Sequence, residues 1–442
     1  MSVERLGIPT AVIITHVFKD LAITNAYKRG IPRQRQTFVP HPVWGKTAKE
    51  MRRDIEGLDP VTGKKVMEEM IAALTQPCTK EDLKTGMLEG TSEPDIYGPE
   101  TTDKLQQYFH DNGMTDYLPI ILPTPERLAA MLKGTSHAPD EVVGKMAGGA
   151  FEPWSYTVKQ VAINAVMAGA KPEYLPAILA IASTGISSLY SSTNSFVRAA
   201  VFNGPIRDEI GMNYGIGAMG PFSQANSAIG RAWTLISKNL GNSGIAGETY
   251  LGSQGNAYNW VNIIIAENEQ ASPWSPLHVQ KGFSPEENVV SIFAGLGIHA
   301  GQGARGGGVI EKPRYDEMIS AIFESITSNF GGFVVIDPLI AKALKDQGYE
   351  TTADLIDWLQ KTTTMTVKEY KNMNFTSAFD LPRAERGIEP YATWYKLADD
   401  AVIPRFHSTK NLAIVVTGGE TQAFFQYGGM RHSVSVSIDK WR

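Results

Sequence analysis

The feature that most constrains this chain is the alternation in its last third. Compact apolar runs at Asn262–Ala266, Val289–Ala294, Phe333–Ile336 and Leu412–Val416 are separated by stretches of helical spacing at Leu339–Leu344, Thr352–Leu359 and Thr421–Tyr427. Short runs rich in β-branched residues read as strands buried on both faces, and the amphipathic stretches between them as covering helices. The predicted fold class is α/β: largely parallel sheets covered by helices, with a small N-terminal α/β segment ahead of a large α/β domain.

The N-terminal segment has the same grammar. Thr10–Thr15 reads as a strand, Asp20–Arg29 as a helix stopped by Gly30 and Pro32, and Gln36–Val39 as a second strand closed by Pro40 and Pro42. A strand this close to the first residue predicts that the preceding strands of the sheet come from another polypeptide or are missing. Residues 1–76 are therefore read as a partial α/β domain, and 77–116, polar and rich in turn-formers, as a linker or wrapping segment. Residues 117–260 form a helix-rich segment: Val158–Val166 closes at Gly169, another helix starts at Pro172-Glu173, and a third carries Ala228–Ile236 on its buried face and ends near Gly241. Residues 261–442 form the last α/β segment.

Composition excludes several classes. With 43% hydrophobic residues the chain is not intrinsically disordered, and a single cysteine, Cys78, excludes both a disulfide scaffold and a dithiol cycle within this chain. No apolar stretch is long enough to span a membrane and Met1–Thr10 lacks the apolar core of a secretion signal, so the expectation is a soluble cytoplasmic protein. Residues 1–80 hold 13 Lys/Arg against 8 Asp/Glu, clustered at Lys28, Arg29, Arg33 and Arg35. That field is too small for nucleic acid and suits a solvated face or a protein-docking surface.

Chemistry is expected beyond the strand ends, where loops and helix N-termini converge. Glu267 to Glu269, the run Gly295, Gly297, His299, Gly301 and Gly303, Asp337, and Thr417, Gly418, Gly419 and Glu420 all follow predicted strands. Bare backbone amides there can hold an anion, and carboxylates can move protons. Gly215, Gly217 and Gly220 match G-x-G-x-x-G, but no strand precedes them and Pro221 follows. Gly295, Gly297 and Gly301 follow a strand without leading into a helix, so neither makes a dinucleotide fingerprint. The eight histidines have no metal-ligand spacing, and no metal or other cofactor follows from the residues. His299 and His16 are the histidines best placed for catalysis, with Glu209 and Glu267 as acid/base candidates. Asn203, Arg207, Asn213, Asn226 and Arg231, with Gly295, Gly297, Gly418, Gly419 and Glu420, are candidates for substrate binding, Asn226 or Ser227 capping the helix that carries Arg231. A buried salt-bridge network is the competing reading of that set.

Val3–Ala11 (VERLGIPTA) and Phe38–Pro42 (FVPHP) resemble the C-terminal half of proteins named for a selenocysteine-Gly-Ser-Cys motif, the UGSC family, which is distantly similar to the selenoprotein subunit of glycine and sarcosine reductases. The family's redox motif lies upstream of the matching region. Leu118–Arg127, Pro139–Gly144, Val158–Pro176, Asn203–Arg231 and Asn239–Gly241 resemble large partner or fused domains seen with that family. The position after Gly169, often cysteine there, is Ala170 here. The resemblance implies a thiol- or selenol-linked enzyme. The expected function is the large, substrate-binding subunit of a hetero-oligomeric enzyme, acting with a small Cys- or selenocysteine-bearing subunit in reductive or lytic chemistry on a small carboxylated or thio-linked substrate. A self-contained lyase or hydratase using His299 and carboxylates, and a non-catalytic scaffold, are the alternatives.

Overall fold

The computed structural model describes residues 8–28, 30–31, 33–43, 45–80, 96–146, 153–190, 193–302, 313–325, 331–373 and 376–442. The chain divides into two units, one of residues 1–100, 150–152 and 245–249, the other of the remaining residues.

In the first unit β1 (Val12–Thr15) pairs in parallel with β2 (Gln36–Val39), and Lys19–Lys28 is the crossover helix between them. Both strands and the helix were legible in the sequence, because the crossover of a parallel pair forces the change from period 2 to period 3.6. Phe38 and Val39 are buried, and the Phe38 amide donates to the buried Asp59 carboxylate at 2.6 Å. Arg35, from the basic cluster, donates to the carbonyls of Ala73, Gln76 and Pro77 and so caps the C-terminal end of the helix Val66–Thr75. Among the described residues β1 has β2 as its sole strand neighbour, and Ile13 on β1 is 44% exposed.

The second unit opens with the hairpin β3 (Val142–Met146) and β4 (Trp154–Thr157). Two four-stranded sheets follow. β5 (Val197–Asn203), β6 (Ile263–Ala266) and β7 (Val289–Gly295) belong to the first sheet, and β8 (His299–Gln302) and β9 (Gly332–Ile336) to the second. A separate antiparallel pair is formed by β10 (Thr364–Thr366) and β11 (Val402–Pro404). β12 (Leu412–Val416) and β13 (Phe424–Gly428) complete the second sheet and β14 (Met430–Ser437) the first, giving orders β14-β7-β5-β6 and β12-β9-β13-β8.

Alternation along β5 sorts the layers. Val197, Ala199 and Val201 face the second sheet, where they share a core with Phe293, Phe333, Val335 and Val415. Ala200 and Phe202 face the helices Val158–Met167, Leu175–Ser183 and Gln224–Asn239. The outer face of the second sheet is covered by Tyr315–Ser325, Pro338–Asp346 and Thr352–Thr362. The result is four layers, helix–sheet–sheet–helix, with β5, β6, β9 and β12 buried on both faces.

The α/β class is thus observed, but the sheets are mixed: β5–β6 and β12–β9 are parallel, whereas β7, β13 and β14 run antiparallel to their neighbours. Two connections that pass directly from one sheet to the other account for this, β7 into β8 and β13 into β14. The sheet of β5, β6 and β7 also joins the segments 117–260 and 261–442. Two more expectations are corrected. The segment 77–116 contains a helix, Thr102–Asp111, started by the Thr101 side chain. Thr421–Tyr427 is not a helix, because its aromatic run pairs as β13 with both β8 and β9.

Where the two connections cross, the backbones touch. A Cβ on Gly428 would lie 1.9 Å from the Gly297 carbonyl oxygen, and one on Gly295 2.1 Å from that of Gly429. Gly428→Ala is accordingly expected to destabilise the unit by about 3 kcal/mol or more, since backbone on both sides cannot yield. Urea denaturation of the variant checks this, and a stability equal to that of the parent chain would contradict the crossing geometry.

Candidate functional site

Three of the four predicted strand ends come together, joined by Asn203 at the end of β5. The Asn268 amide donates to the Val416 carbonyl at 2.7 Å, Glu267 N–H to Phe202 at 3.1 Å, and Thr417 N–H to Ile336 at 2.9 Å. Thr417 Oγ1 donates to Ala266 and Asn268 Nδ2 to Gly418. The carboxyl ends of β5, β6, β9 and β12 thus form one polar rim. The fourth end does not belong to it: β7 is antiparallel to β5, so Gly295 pairs with Val197, at the far end from Asn203. Gly295 owes its small size to the crossing described above, and Gly297 adopts φ +117°, a conformation that favours glycine. His299 is exposed at the start of β8, paired with Tyr427, away from the rim.

At the ends of β5 and β6 the polar side chains are interlocked. Asn203 Nδ2 donates to Glu267 Oε2 at 2.6 Å and to Glu269 Oε1 at 2.9 Å, and Gly204 N–H also donates to Glu269. Gly204, at φ +87°, can make this turn where a Cβ would strike the Glu287 carbonyl at 2.4 Å. Arg207 pairs with Glu269 at 2.9 Å and donates to the carbonyls of Gly204 and Glu267, its guanidinium lying 5.1 Å from the Tyr214 ring centre. Glu267 also accepts from Leu277 N–H at 2.8 Å. Burial pushes its carboxyl up to about 7, with Glu269 adding in the same direction, while the hydrogen bonds from Leu277 and Asn203 and the nearby Arg207 only partly oppose this. A carboxyl that exchanges its proton near neutrality is suited to general acid/base work.

Beside this cluster lies a cavity of about 370 Å³ over the ends of β9 and β12. Ile216–Gly220 forms one wall and Gly418-Gly419 another, with Thr417, Asp337 and Gln422 supplying polar groups. The Gly418 amide donates to the Tyr214 carbonyl at 2.9 Å, and a Cβ on Gly419 would meet Ile216 at 2.4 Å. The G-x-G-x-x-G stretch is therefore a wall folded onto the second glycine pair. Asp337 accepts from the amides of Ile340 and Phe424, capping its helix and tying down β13, and burial raises its pKa.

The other candidates have definite places. Asn213 and Asn226 hold each other: Asn213 N–H donates to Asn226 Oδ1 at 3.1 Å, and Asn226 Nδ2 back to the Asn213 carbonyl at 3.3 Å. They fix the wall loop, and Ser223, not Asn226 or Ser227, caps the helix, because the helix begins one turn earlier. Arg231 is not directed at the rim. It is paired through two hydrogen bonds, at 2.7 and 2.9 Å, with Asp116, which is buried, and also donates to the carbonyls of Leu118 and Pro119. Glu209 forms a surface pair with Arg442 at 2.6 Å, and Glu420 pairs with Lys342. Arg207, Arg231 and His299 do not converge.

In the first unit, His16 and His41 follow the carboxyl ends of β1 and β2. His41 N–H donates to His16 Nδ1 at 3.3 Å, and Thr15 Oγ1 lies 3.3 Å from His41 Nδ1. Sequence reading named His16 and missed its neighbour, although both directly follow predicted strands. Among the described residues no three His, Cys, Asp or Glu side chains gather as a metal site, and no helix is long and apolar enough to cross a membrane.

No curated protein and no solved structure matches this chain. Its N-terminal part, residues 1–75, matches the family model described as the UGSC family, so the resemblance carried by VERLGIPTA and FVPHP holds for that part.

Proposed function

We propose that this chain is the large subunit of a hetero-oligomeric enzyme whose second unit binds a small carboxylated or thio-linked substrate and moves a proton through Glu267. The observation that carries the reading is the Glu267 carboxyl, raised to about 7 by its burial and by Glu269 against the opposing hydrogen bond from Asn203, at strand ends that adjoin a glycine-walled cavity. Arg207 and Asn203 keep the two carboxylates together, and the Gly419 backbone at the cavity wall, beside Thr417 and Gln422, suits an oxyanion.

Thiol chemistry would come from a partner. Cys78 is the sole cysteine and the UGSC match covers the first 75 residues. A small Cys- or selenocysteine-bearing subunit, of the kind distantly similar to that of glycine and sarcosine reductases, would sit against β1 and bring its sulfur or selenium toward His16 and His41. The stretches from Leu118 to Gly241 that resemble large partner domains support the same division of labour.

The test is to purify the chain alone and together with the product of its neighbouring gene, and to assay both against a panel of small carboxylic acids and thio-linked acids under reducing conditions. Turnover that requires the Cys-bearing partner is expected. Turnover by the chain alone would replace this reading with the self-contained lyase or hydratase, and binding without turnover in either sample would leave a scaffold.

A further inference from the structure

The opposite end of the first sheet carries a separate feature. β5 is apolar along most of its length, yet its second residue is Arg198, only 6% exposed. Strand register sets Arg198 opposite Ala294 on β7, and Ala294 opposite Arg431 on β14, so the three lie in one row on the helix-covered face. Two arginines flank an alanine, and the short central side chain leaves space between them. That space is a cavity of about 470 Å³, roofed by Gly185–Ser187 after the helix Leu175–Ser183 and lined also by Lys145 of β3. None of the described residues lining it is acidic.

Part of the Arg198 guanidinium has a neighbour. It stacks over Tyr190, 5.5 Å from the ring centre, and one terminal nitrogen donates to the Val197 carbonyl at 3.2 Å. Its Nε is buried and has no acceptor among the described residues. Burial pulls its pKa down to about 10, and the groups that act to raise it are Tyr190 and Tyr250, not a carboxylate. The guanidinium is therefore charged at neutral pH, and among the described residues this buried charge has no carboxylate against it, which is costly. Beside it stand Lys145 and Arg431, with Arg383 close enough to push the Arg431 pKa down further. Phe196, Ile186 and Tyr190 supply an apolar wall.

We infer that this cavity binds a small organic acid, its carboxylate against Arg198 and Lys145 and its apolar body on Phe196 and Ile186. The site does not depend on the Glu267 reading: Arg198 lies five residues along β5 from Asn203, about 17 Å at the rise of a strand.

The experiment uses the full chain, with sodium benzoate, acetate and phosphate as probes at constant ionic strength, read by isothermal titration and thermal melting. Benzoate is expected to bind at least about tenfold more tightly than acetate or phosphate, because only benzoate also fills the apolar wall. Arg198→Met is expected to weaken benzoate by roughly 100-fold while leaving the probe-free melting temperature unchanged or higher, since it removes an uncompensated buried charge. Lys145→Ala, at an exposed position, is expected to weaken benzoate about threefold or more and keeps the test decisive if Arg198→Met fails to fold. Absence of benzoate binding, preference for phosphate, or benzoate affinity unchanged in either variant would overturn the inference.

Discussion

Arg231→Ala is expected to destabilise the second unit by about 3–5 kcal/mol, the cost of leaving a buried carboxylate without its partner. The sequence placed Arg231 in an anion pocket, but the structure has already given it an anion. Asp116 receives two hydrogen bonds from it, and its side chain is 3% exposed against 16% for the arginine. The same Nη2 that donates to Asp116 also donates to the Leu118 and Pro119 carbonyls, so the guanidinium clamps the segment around Asp116 to the helix Gln224–Asn239. Urea denaturation measures the loss, and the double variant Arg231→Ala with Asp116→Ala should regain part of it, because no charge is then stranded. A single variant as stable as the parent, yet unable to bind substrate, would return Arg231 to a binding role.

The second large effect is expected at Glu267. Its folded carboxyl titrates at about 7 against an ordinary 4.5. The folded state therefore prefers the protonated form. The stability this contributes is fully present below about pH 4.5 and is lost as pH rises through 7, for a total of about 3 kcal/mol. Glu267→Gln resembles the protonated acid and cannot lose that proton. Parent and variant should match at about pH 4, and the variant should be more stable at about pH 8, the reverse of what removing a stabilising salt bridge would do. Denaturation at the two pH values checks this. Turnover, in the assay with the partner, should fall by roughly 10²- to 10⁴-fold. A variant that is less stable at pH 8 would make Glu267 a structural acceptor for Asn203 and Leu277.

What the sequence disclosed follows from what a local pattern can encode. β12 and β2 were legible to the residue, because a β-branched or aromatic run bounded by turn-formers carries its own limits. β5 was not read as a strand, since Arg198 interrupts its apolar run and only its two sheet neighbours make VRAAVFN extended. The rim was partly legible: Glu267, Asp337 and Thr417 each follow a recognisable strand. Their meeting depends on β6, β9 and β12 pointing the same way, and the exclusion of Gly295 depends on β7 running against them. Strand direction is fixed by the sheet-to-sheet crossings at Gly297 and Gly429, which leave only small residues as their trace. Arg231 was misplaced because its partner, Asp116, lies 115 positions earlier in the chain.

Infrared difference spectroscopy of the full chain reads out whether the buried carboxyl at the ends of β5 and β6 holds its proton up to neutrality. The expected spectrum shows a protonated-acid carbonyl band that disappears with a midpoint near pH 7 and is missing from Glu267→Gln. A midpoint at the ordinary carboxylate value, or a neutral-pH band that persists in Glu267→Gln, would contradict it.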